Sequence, residues 1–503
     1  MYNFSHYYNS YHSLRLPEYD SQIKMDFVNA VFAGCSDFQT REICVGLGDR
    51  ILISACWLDG TVSGGDVSED ILRPLTQFWR GLQAPDEAAA FNLILKGSVY
   101  SYSVRECSNC DELIYSLTHG HCALIFDDIG KALSFEVKTA QTRSISEPTM
   151  EKALKGARDS FVETLRINTS LVRRRIFSPK LKLIESTVGR KSNTRVGLMF
   201  VEGIADSGTV AEAAKRLDAM DIDGLLSCGI LEEAVSDHPL SPFPQLIHTE
   251  RPDRFSQYLM DGRVGILVDG IPFGLVLPVT FAEFMKVTGD SGMHFIVATG
   301  ITLLRYIALL LGVCLPAFYV AVATYHQEMI PTPMLLSIIE AKKNVPFSTA
   351  LEVLGMLMAF SLLQEAGLRL PNPIGDTVSI IGALIVGQSA VEAQVVSPIA
   401  IIVVALSGIA CYTLPSQDMS FALKLTRLLL LLGAAFGGLY GAALVSCLVT
   451  LHLAGMDSFG VNYTAPVSDG QPGGIRRLLL KIPKTRDKYR DPLLNCPDKR
   501  RQK

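Results

Sequence analysis

The residues with the clearest chemical potential in this chain are ionisable groups inside its most apolar region, residues 296–453. Charges are costly in lipid, so those that remain there are functional candidates by default. Four could line or gate a water-filled path: Glu328, Glu365, Arg369 and Glu392. Glu365 and Arg369 are four residues apart, so a structural ion pair on one helix face is equally open. Glu392 lacks an obvious local partner in sequence, and acidic side chains commonly build cation pores.

Small residues form a second pattern in the same region. Gly433, Gly437 and Gly441 recur every four residues, a spacing that lets helices approach closely in lipid. The pattern predicts helix packing or assembly. Packing within one chain and contact between subunits both remain open.

Cysteines and histidines near residue 110 offer a third kind of chemistry. Cys107 and Cys110 form a Cys-x-x-Cys pair, followed by His119, His121 and Cys122, a set that could hold zinc. A single such pair is a weak signal, and the first residues contain no apolar secretory signal. We therefore favour reduced thiols and expect no metal or other cofactor.

The elements that must position these residues differ between the two halves of the chain. Residues 1–35 are interpreted as a flexible lead-in, and residues 36–145 alternate strand and helix patterns, which indicates an α/β subdomain. Strands are expected at 49–57 and 121–126, and helices at 68–82 and 110–117.

Residues 146–180 are predicted to form a linking amphipathic helix, with apolar residues at steps of three and four. Arg173, Arg174 and Arg175 crowd its last turn, either as a solvated helix end or as a contact with lipid or an acidic partner. A second α/β subdomain follows over residues 181–290. Its expected elements are strands at 195–201, 224–230 and 263–269 and a helix at 210–220.

Residues 291–455 are predicted to form the transmembrane domain. Spans are expected at 296–324, 395–414 and 428–453, with a shorter one at 353–363 and a re-entrant segment at 377–391. The basic tail, residues 456–503, contains eleven Lys or Arg against three Asp from Arg476 onward, which favours the cytoplasm. Both ends on one side require an even number of crossings, so four spans plus the re-entrant segment fit, as would six shorter segments. The predicted fold class is an α/β soluble N-terminal region of two subdomains followed by an all-α polytopic membrane domain.

Several function classes are disfavoured. The net charge is −4 and base-reading motifs are absent, so no nucleic-acid partner is expected. The sequence has no phosphate-cradling Gly-rich loop, nucleophile elbow or His-Glu-x-x-His helix, so we do not expect an enzyme. A secondary transporter would suit the broken apolar segments, but no second half repeats the pattern.

The order of several motifs resembles the spore germination receptor A-subunit family (the GerA family). The resemblance extends from about Ser144 to Pro466 and includes Lys155–Glu163 (KGARDSFVE), Thr249–Asp253 (TERPD), Glu328–Thr332 (EMIPT), Glu365–Pro371 (EAGLRLP) and Ser458–Tyr463 (SFGVNY). This chain has Gly289–Gly292 (GDSG) where the family usually has an acidic, tyrosine-containing stretch.

The resemblance implies a role in spores. It implies an A subunit of a nutrient-germinant receptor in the spore inner membrane, beside a transporter-like B subunit and a lipoprotein C subunit. Self-association into a ligand-gated cation channel that triggers germination is implied, with the soluble half and tail cytoplasmic and membrane lipid around the spans. An accessory homologue working with the dipicolinic acid channel is the alternative. The family-motif residues that the resemblance singles out are Glu163, Asn168, Arg174, Thr249, Glu250, Arg251, Pro252 and Asp253.

Overall fold

The computed structural model describes residues 19, 22–45, 51–78, 84–99, 103–138, 148, 151, 156–369, 387–468 and 474–502. The chain divides into two compact units. The first contains residues 1–235, 248–278 and 488–503, and the second contains residues 236–247 and 279–487.

A five-stranded sheet organises the first part of the first unit. Its strands are β1 (Phe38–Val45), β2 (Ile51–Leu58), β3 (Val104–Cys107), β4 (His121–Phe126) and β5 (Lys131–Glu136), in the order β1-β2-β4-β5-β3. Each of its pairings is antiparallel. All six residues of β4 are buried, because helices cover both faces of the sheet. The strands and helices predicted here are therefore present.

Helices on the two faces come from different parts of the chain. One face receives helical residues 64–78, which end in α2 (Arg73–Phe78), and α3 (Glu87–Leu93). The other receives α1 (Met25–Val31) and α4 (Cys110–Thr118). The predicted flexible lead-in is wrong for residues 22–35, because α1 and its flanks bury Ile23, Val28 and Phe32 against the sheet.

The chain between the two sheets, residues 137–180, is called the connection. Its described part contains a shorter helix than the sequence pattern predicts. Helix α5 spans Leu165–Arg173, and residues 156–164 before it are not helical. The solvated-end interpretation is also wrong for Arg173. Its guanidinium is buried and donates to both oxygens of Asp37 at 2.8 Å, so it joins α5 to the segment before β1.

The second sheet contains β6 (Leu181–Val188), β7 (Thr194–Val201), β8 (Ile247–Thr249), β9 (Val264–Val268) and β10 (Gly274–Leu277), in the order β6-β7-β9-β10-β8. Helices α6 (Ser207–Asp218), α7 (Cys228–Val235) and α8 (Pro252–Asp261) accompany it. The strand predicted at 224–230 is wrong, because α7 begins at Cys228. Gly265 and Gly274 admit the Phe255 ring of α8, since a Cβ on either would lie within 2.6 Å of it.

The second unit contains the apolar helices. They are α9 (Phe295–Thr324), α10 (Thr332–Lys342), α11 (Thr349–Arg369), α12 (Pro398–Tyr412) and α13 (Gln417–Ala454). Three helices in the described chain are long and apolar enough to cross a membrane: α9, residues 349–367 of α11, and α13. This arrangement confirms the predicted fold class.

Two predicted spans differ from the observed helices. The segment at 395–414 forms only the 15-residue α12, which is about 22 Å long and shorter than the roughly 30 Å of hydrocarbon. The short segment at 353–363 is part of the 21-residue α11, so it is the better span. Of the predicted re-entrant segment, residues 377–386 lie outside the described residues, and 387–391 are helical.

The basic tail is folded where it is described. Residues 457–462 form a small hairpin of β11 (Asp457–Ser458) and β12 (Val461–Asn462) in the second unit. Residues 488–503 belong to the first unit, where Arg501 pairs with Asp261 at 2.5 Å. The tail therefore does not form a separate segment.

Candidate functional site

Charged side chains are buried between elements of the helical unit. The first group joins Arg305 of α9 to Asp290, which lies five residues before that helix. Arg305 donates to the two carboxylate oxygens at 2.6 and 2.8 Å and to the Met285 carbonyl at 3.1 Å. Both side chains are 10% exposed, so the pair is largely removed from solvent. The divergent Gly289–Gly292 segment thus supplies the counter-charge for Arg305.

The second group centres on Glu352, whose side chain is completely buried in α11. One carboxylate oxygen accepts hydrogen bonds from the Ser397 hydroxyl at 2.9 Å and from its backbone N–H at 3.3 Å. The other lies 3.2 Å from the ammonium of Lys342, the last residue of α10. Because Ser397 also caps α12, this carboxylate fixes three helix ends in one place.

The third group surrounds Arg427 of α13, which is 6% exposed. Its guanidinium donates to the Ser407 hydroxyl at 3.0 Å and lies 3.8 Å from the Cys411 sulfur. Ser407 in turn donates to the Gly312 carbonyl of α9 at 2.7 Å. This arrangement makes a polar layer through α9, α12 and α13.

Helix α13 is broken in its middle at Gly438, which has φ 55° and ψ −137°. In a continuous helix, Gly433 and Gly441 would be about 12 Å apart along the axis. Here a Cβ on Gly441 would lie 2.0 Å from the Gly433 carbonyl oxygen. The chain therefore folds back, and the predicted single span at 428–453 is wrong.

The fold-back is held by the end of α9. The Tyr325 hydroxyl donates to the Ala435 carbonyl at 2.8 Å, next to the break. A Cβ on Gly438 would lie 2.9 Å from both Tyr325 and His326. By contrast, nothing lies within 4 Å of the Cβ position of Gly437. Gly433 and Gly441 pack within the chain, while an assembly role for Gly437 stays a prediction.

The predicted pore residues lie at separate places. Glu365 is exposed on α11, and Glu328 is exposed in the short turn after α9. Glu392 is exposed and accepts a hydrogen bond from Gln388 at 3.0 Å, so the expectation that it lacks a local partner is wrong. Arg369 ends α11, and its side chain lies outside the described residues. Arg305, Glu352 and Arg427 are not among the four candidates predicted from the sequence, because burial between helices that are distant in the chain singles them out.

Three of the family-motif residues, Glu163, Asn168 and Glu250, hold the chain segment around the start of α5. Asn168 accepts from the Val162 N–H at 2.8 Å and donates to the Val162 carbonyl at 2.6 Å. The backbone carbonyl of Glu163 accepts from Gly270 at 2.6 Å, and that of Glu250 accepts from Phe161 at 2.7 Å. Of the remaining members, Thr249, Arg251 and Pro252 are buried, and Arg174 and Asp253 are half-buried.

The cysteines and histidines near residue 110 do not converge. In the described parts of the chain, no group of three or more His, Cys, Asp or Glu is placed to hold a metal ion. Cys107 and Cys110 are buried and form no disulfide. Burial raises the pKa of Cys122 to about 12 and lowers that of His121 to about 4. These buried neutral groups are packed as parts of the sheet core.

A cleft of about 550 Å³ lies beside the connection in the first unit. Its charged lining residues are Asp59, Asp66, Lys138 and Arg166. Arg166 lies 3.1 Å from Asp59 and 2.9 Å from Glu185, so its charge is already balanced. We therefore assign no ligand to this cleft.

The two sheets and the helices with buried charges define a membrane protein with a large α/β part. The family profile described as Bacillus/Clostridium GerA spore germination protein matches residues 26–493. The chain belongs to the GerA family, which confirms the resemblance read from the motifs.

Two named relatives give the extent of the similarity. Spore germination protein KA of Bacillus subtilis (strain 168) is 35% identical over 467 residues, which cover 93% of this chain and 85% of the relative. Spore germination protein GerLA of Bacillus cereus is 30% identical over 463 residues, covering 92% and 93%. Among solved structures, the N-terminal domain of the A subunit of the Bacillus megaterium spore germinant receptor GerK3 is 28% identical, with a TM-score of 0.41 over 52% of this chain and 98% of that domain.

Proposed function

We propose that this chain is the A subunit of a spore nutrient-germinant receptor, and that several copies assemble into a ligand-gated cation channel whose opening triggers germination. The observation that carries the proposal is the buried charge in the helical unit, above all Glu352 with Lys342 and Ser397. A simple anchor needs no buried ions, which are expensive in a membrane and mark conduction or switching elements.

The exposed carboxylates supply the proposed conduction path. Glu328, Glu365 and Glu392 are exposed in the single chain, so each is accessible to water or to a second subunit. Carboxylates repeated around an oligomer axis would attract cations and repel anions. Arg369, four residues after Glu365, is proposed either to gate the conduction path or to balance the negative charge of Glu365.

The proposed setting follows the family. The channel lies in the spore inner membrane with a transporter-like B subunit and a lipoprotein C subunit, and the α/β part and basic tail face the cytoplasm. Residues 488–503 of the tail belong to the same compact unit as the α/β part, which supports the placement of that end of the tail on the same side.

Purification from spore membranes followed by conductance in liposomes tests this proposal. We expect cation-selective current and co-purification of the B and C subunits. Co-purification of dipicolinic acid channel components instead would favour the accessory role. Saturable solute uptake without conductance would favour a transporter.

Glu392→Gln tests the conduction path directly. Removing one carboxylate from each subunit should lower cation conductance roughly twofold or more, because local cation concentration falls. Glu340→Gln is the matched control, since Glu340 is another exposed carboxylate of the same unit. Equal conductance in the two variants would remove Glu392 from the path.

A further inference from the structure

The carboxylate of Glu151, a residue of the connection between the two sheets, is bound by side chains from the end of β8 and the start of α8. These side chains are called the pocket. Thr249, at the end of β8, and Arg251, before α8, are each 1% exposed. The Thr249 hydroxyl donates to one oxygen of Glu151 at 2.6 Å. Arg254 donates to the other oxygen. Arg251 donates to the Glu151 backbone carbonyl at 3.3 Å, so three side chains bind Glu151.

The pocket is oriented by contacts that do not involve Glu151. Asp253 accepts from Arg251 at 3.0 and 2.7 Å, which fixes the plane of that guanidinium. Arg254 donates to the Tyr258 hydroxyl at 3.1 and 3.2 Å, and its guanidinium carbon lies 5.5 Å from the centre of the Tyr258 ring. The Arg254 guanidinium therefore stays directed at the position of the carboxylate when the Glu151 side chain is removed.

The pocket also controls the connection itself. Segment 249–254 holds the connection at two points, through the Glu151 side chain and through the backbone hydrogen bond from Phe161 to Glu250. Hydrogen bonds between ionised partners are roughly twice as strong as neutral ones. Binding of the Glu151 carboxylate in the pocket therefore stabilises the position of the connection.

We propose that Thr249 and Arg254 form a carboxylate-binding site whose resident ligand is the Glu151 side chain, with Arg251 holding the Glu151 backbone carbonyl, and that this site accepts a free small carboxylate in place of that side chain. The free ligand is a monocarboxylate as small as formate or acetate, because the two donors, one to each oxygen, match one carboxylate group. Binding a free carboxylate releases Glu151 and frees the connection between the two sheets.

The test uses the full-length protein in detergent micelles. In Glu151→Ala, we expect amide hydrogen exchange at Phe161 to quicken about tenfold, as a net loss of one charge-assisted hydrogen bond implies. Acetate should leave exchange at Phe161 fast, because a free carboxylate is not tethered to the connection. It should instead slow exchange at the Arg251 amide, which donates to the Thr249 hydroxyl at 3.2 Å, in a saturable way, whereas chloride at the same ionic strength should not. Adding Arg254→Gln should abolish this effect of acetate. Asp218→Asn, at an exposed carboxylate of α6, should respond to neither salt.

Two outcomes would overturn the proposal. One is an equal effect of acetate and chloride on Glu151→Ala, and the other is unchanged exchange at Phe161 in that variant. If Glu151→Ala does not fold, the wild type is titrated with formate instead. Faster exchange confined to the connection supports the site, and unchanged exchange at high formate rejects it.

Discussion

At the scale of single residues, a largely buried ion pair in the helical unit joins Asp290 to Arg305. Asp290→Asn removes the charge that compensates a largely buried guanidinium. Breaking a buried pair from one side costs about 3–5 kcal/mol, because the remaining charge is uncompensated. We expect a loss of that order in the free energy of unfolding, measured by denaturant titration in micelles.

A second variant separates charge from packing. Asp290→Asn combined with Arg305→Met removes both charges and should recover much of the lost stability, since buried pairs are often replaceable by apolar residues. A double variant no more stable than Asp290→Asn would show that the pair acts through its geometry.

The free energy of unfolding is expected to depend on pH through His121, the first residue of β4. It is 7% exposed, and its Nδ1 has no hydrogen-bond partner in the described chain. Burial lowers its pKa from 6.5 to about 4, despite the opposing effect of Glu136 and with small further lowering by Lys138, Arg105 and His119. Between pH 6.5 and 4, His121 is therefore protonated in the unfolded chain but not in the folded chain. The free energy of unfolding consequently falls as the pH drops through that window.

The expected size of this effect is about 2–3 kcal/mol between pH 7 and pH 4. It is measured as the difference in unfolding free energy between wild type and His121→Phe, which lacks the titrating group. Both proteins share the other titrating groups, so parallel pH profiles would refute the assignment.

At the scale of elements, the fold-back of α13 depends on one glycine. Gly438→Ala places a side chain in a backbone conformation with positive φ and against Tyr325 and His326. We expect a cost of roughly 1–3 kcal/mol in unfolding free energy. Gly437→Ala is the matched control one residue away, where the Cβ enters open space. Equal stability of the two variants would show that the break does not depend on Gly438.

Gly437 also provides a test of subunit assembly. Gly437→Leu adds bulk to a position without a neighbour in the single chain, so it should leave the unfolding free energy nearly unchanged. If Gly437 contacts another subunit, cross-linking should show a smaller fraction of oligomer. An unchanged cross-linking pattern would exclude this face from assembly.

At the scale of the whole molecule, the fold-back determines where the chain emerges. After α13, Ser458 accepts a hydrogen bond from the Val279 N–H at 3.2 Å, and Tyr463 accepts one from Phe281 at 2.8 Å. Residues 279 and 281 lie shortly before α9, so the chain returns to the side from which that helix starts. The turn at Gly438 lies at the other end of α9, beside Tyr325.

Cysteine labelling tests this topology. A membrane-impermeant maleimide should modify Tyr440→Cys from one side, and His294→Cys and Gly455→Cys from the other. The background replaces the exposed native thiols, Cys44 and Cys447, by serine. Labelling of Tyr440→Cys and Gly455→Cys from the same side would contradict the fold-back as a membrane hairpin.

The sequence by itself determined the local and compositional features of this protein. Strand and helix alternation placed two strands of each sheet, because side-chain period and turn residues are local properties. Near-absence of charge located the helical unit, since lipid excludes ions wherever they lie in the sequence. Motif order identified the family, although the predicted pore residues still await a test.

Tertiary structure decided the features that depend on distant partners. Leu428 to Leu453 has the composition of one span, and only the contact of Gly438 with the end of α9 reveals two antiparallel segments. Likewise, Arg173 has a surface-like sequence context yet pairs with Asp37, 136 residues away. Burial, counter-charge and backbone reversal arise from contacts between residues far apart in the chain, and spacing along the sequence does not encode which of them meet.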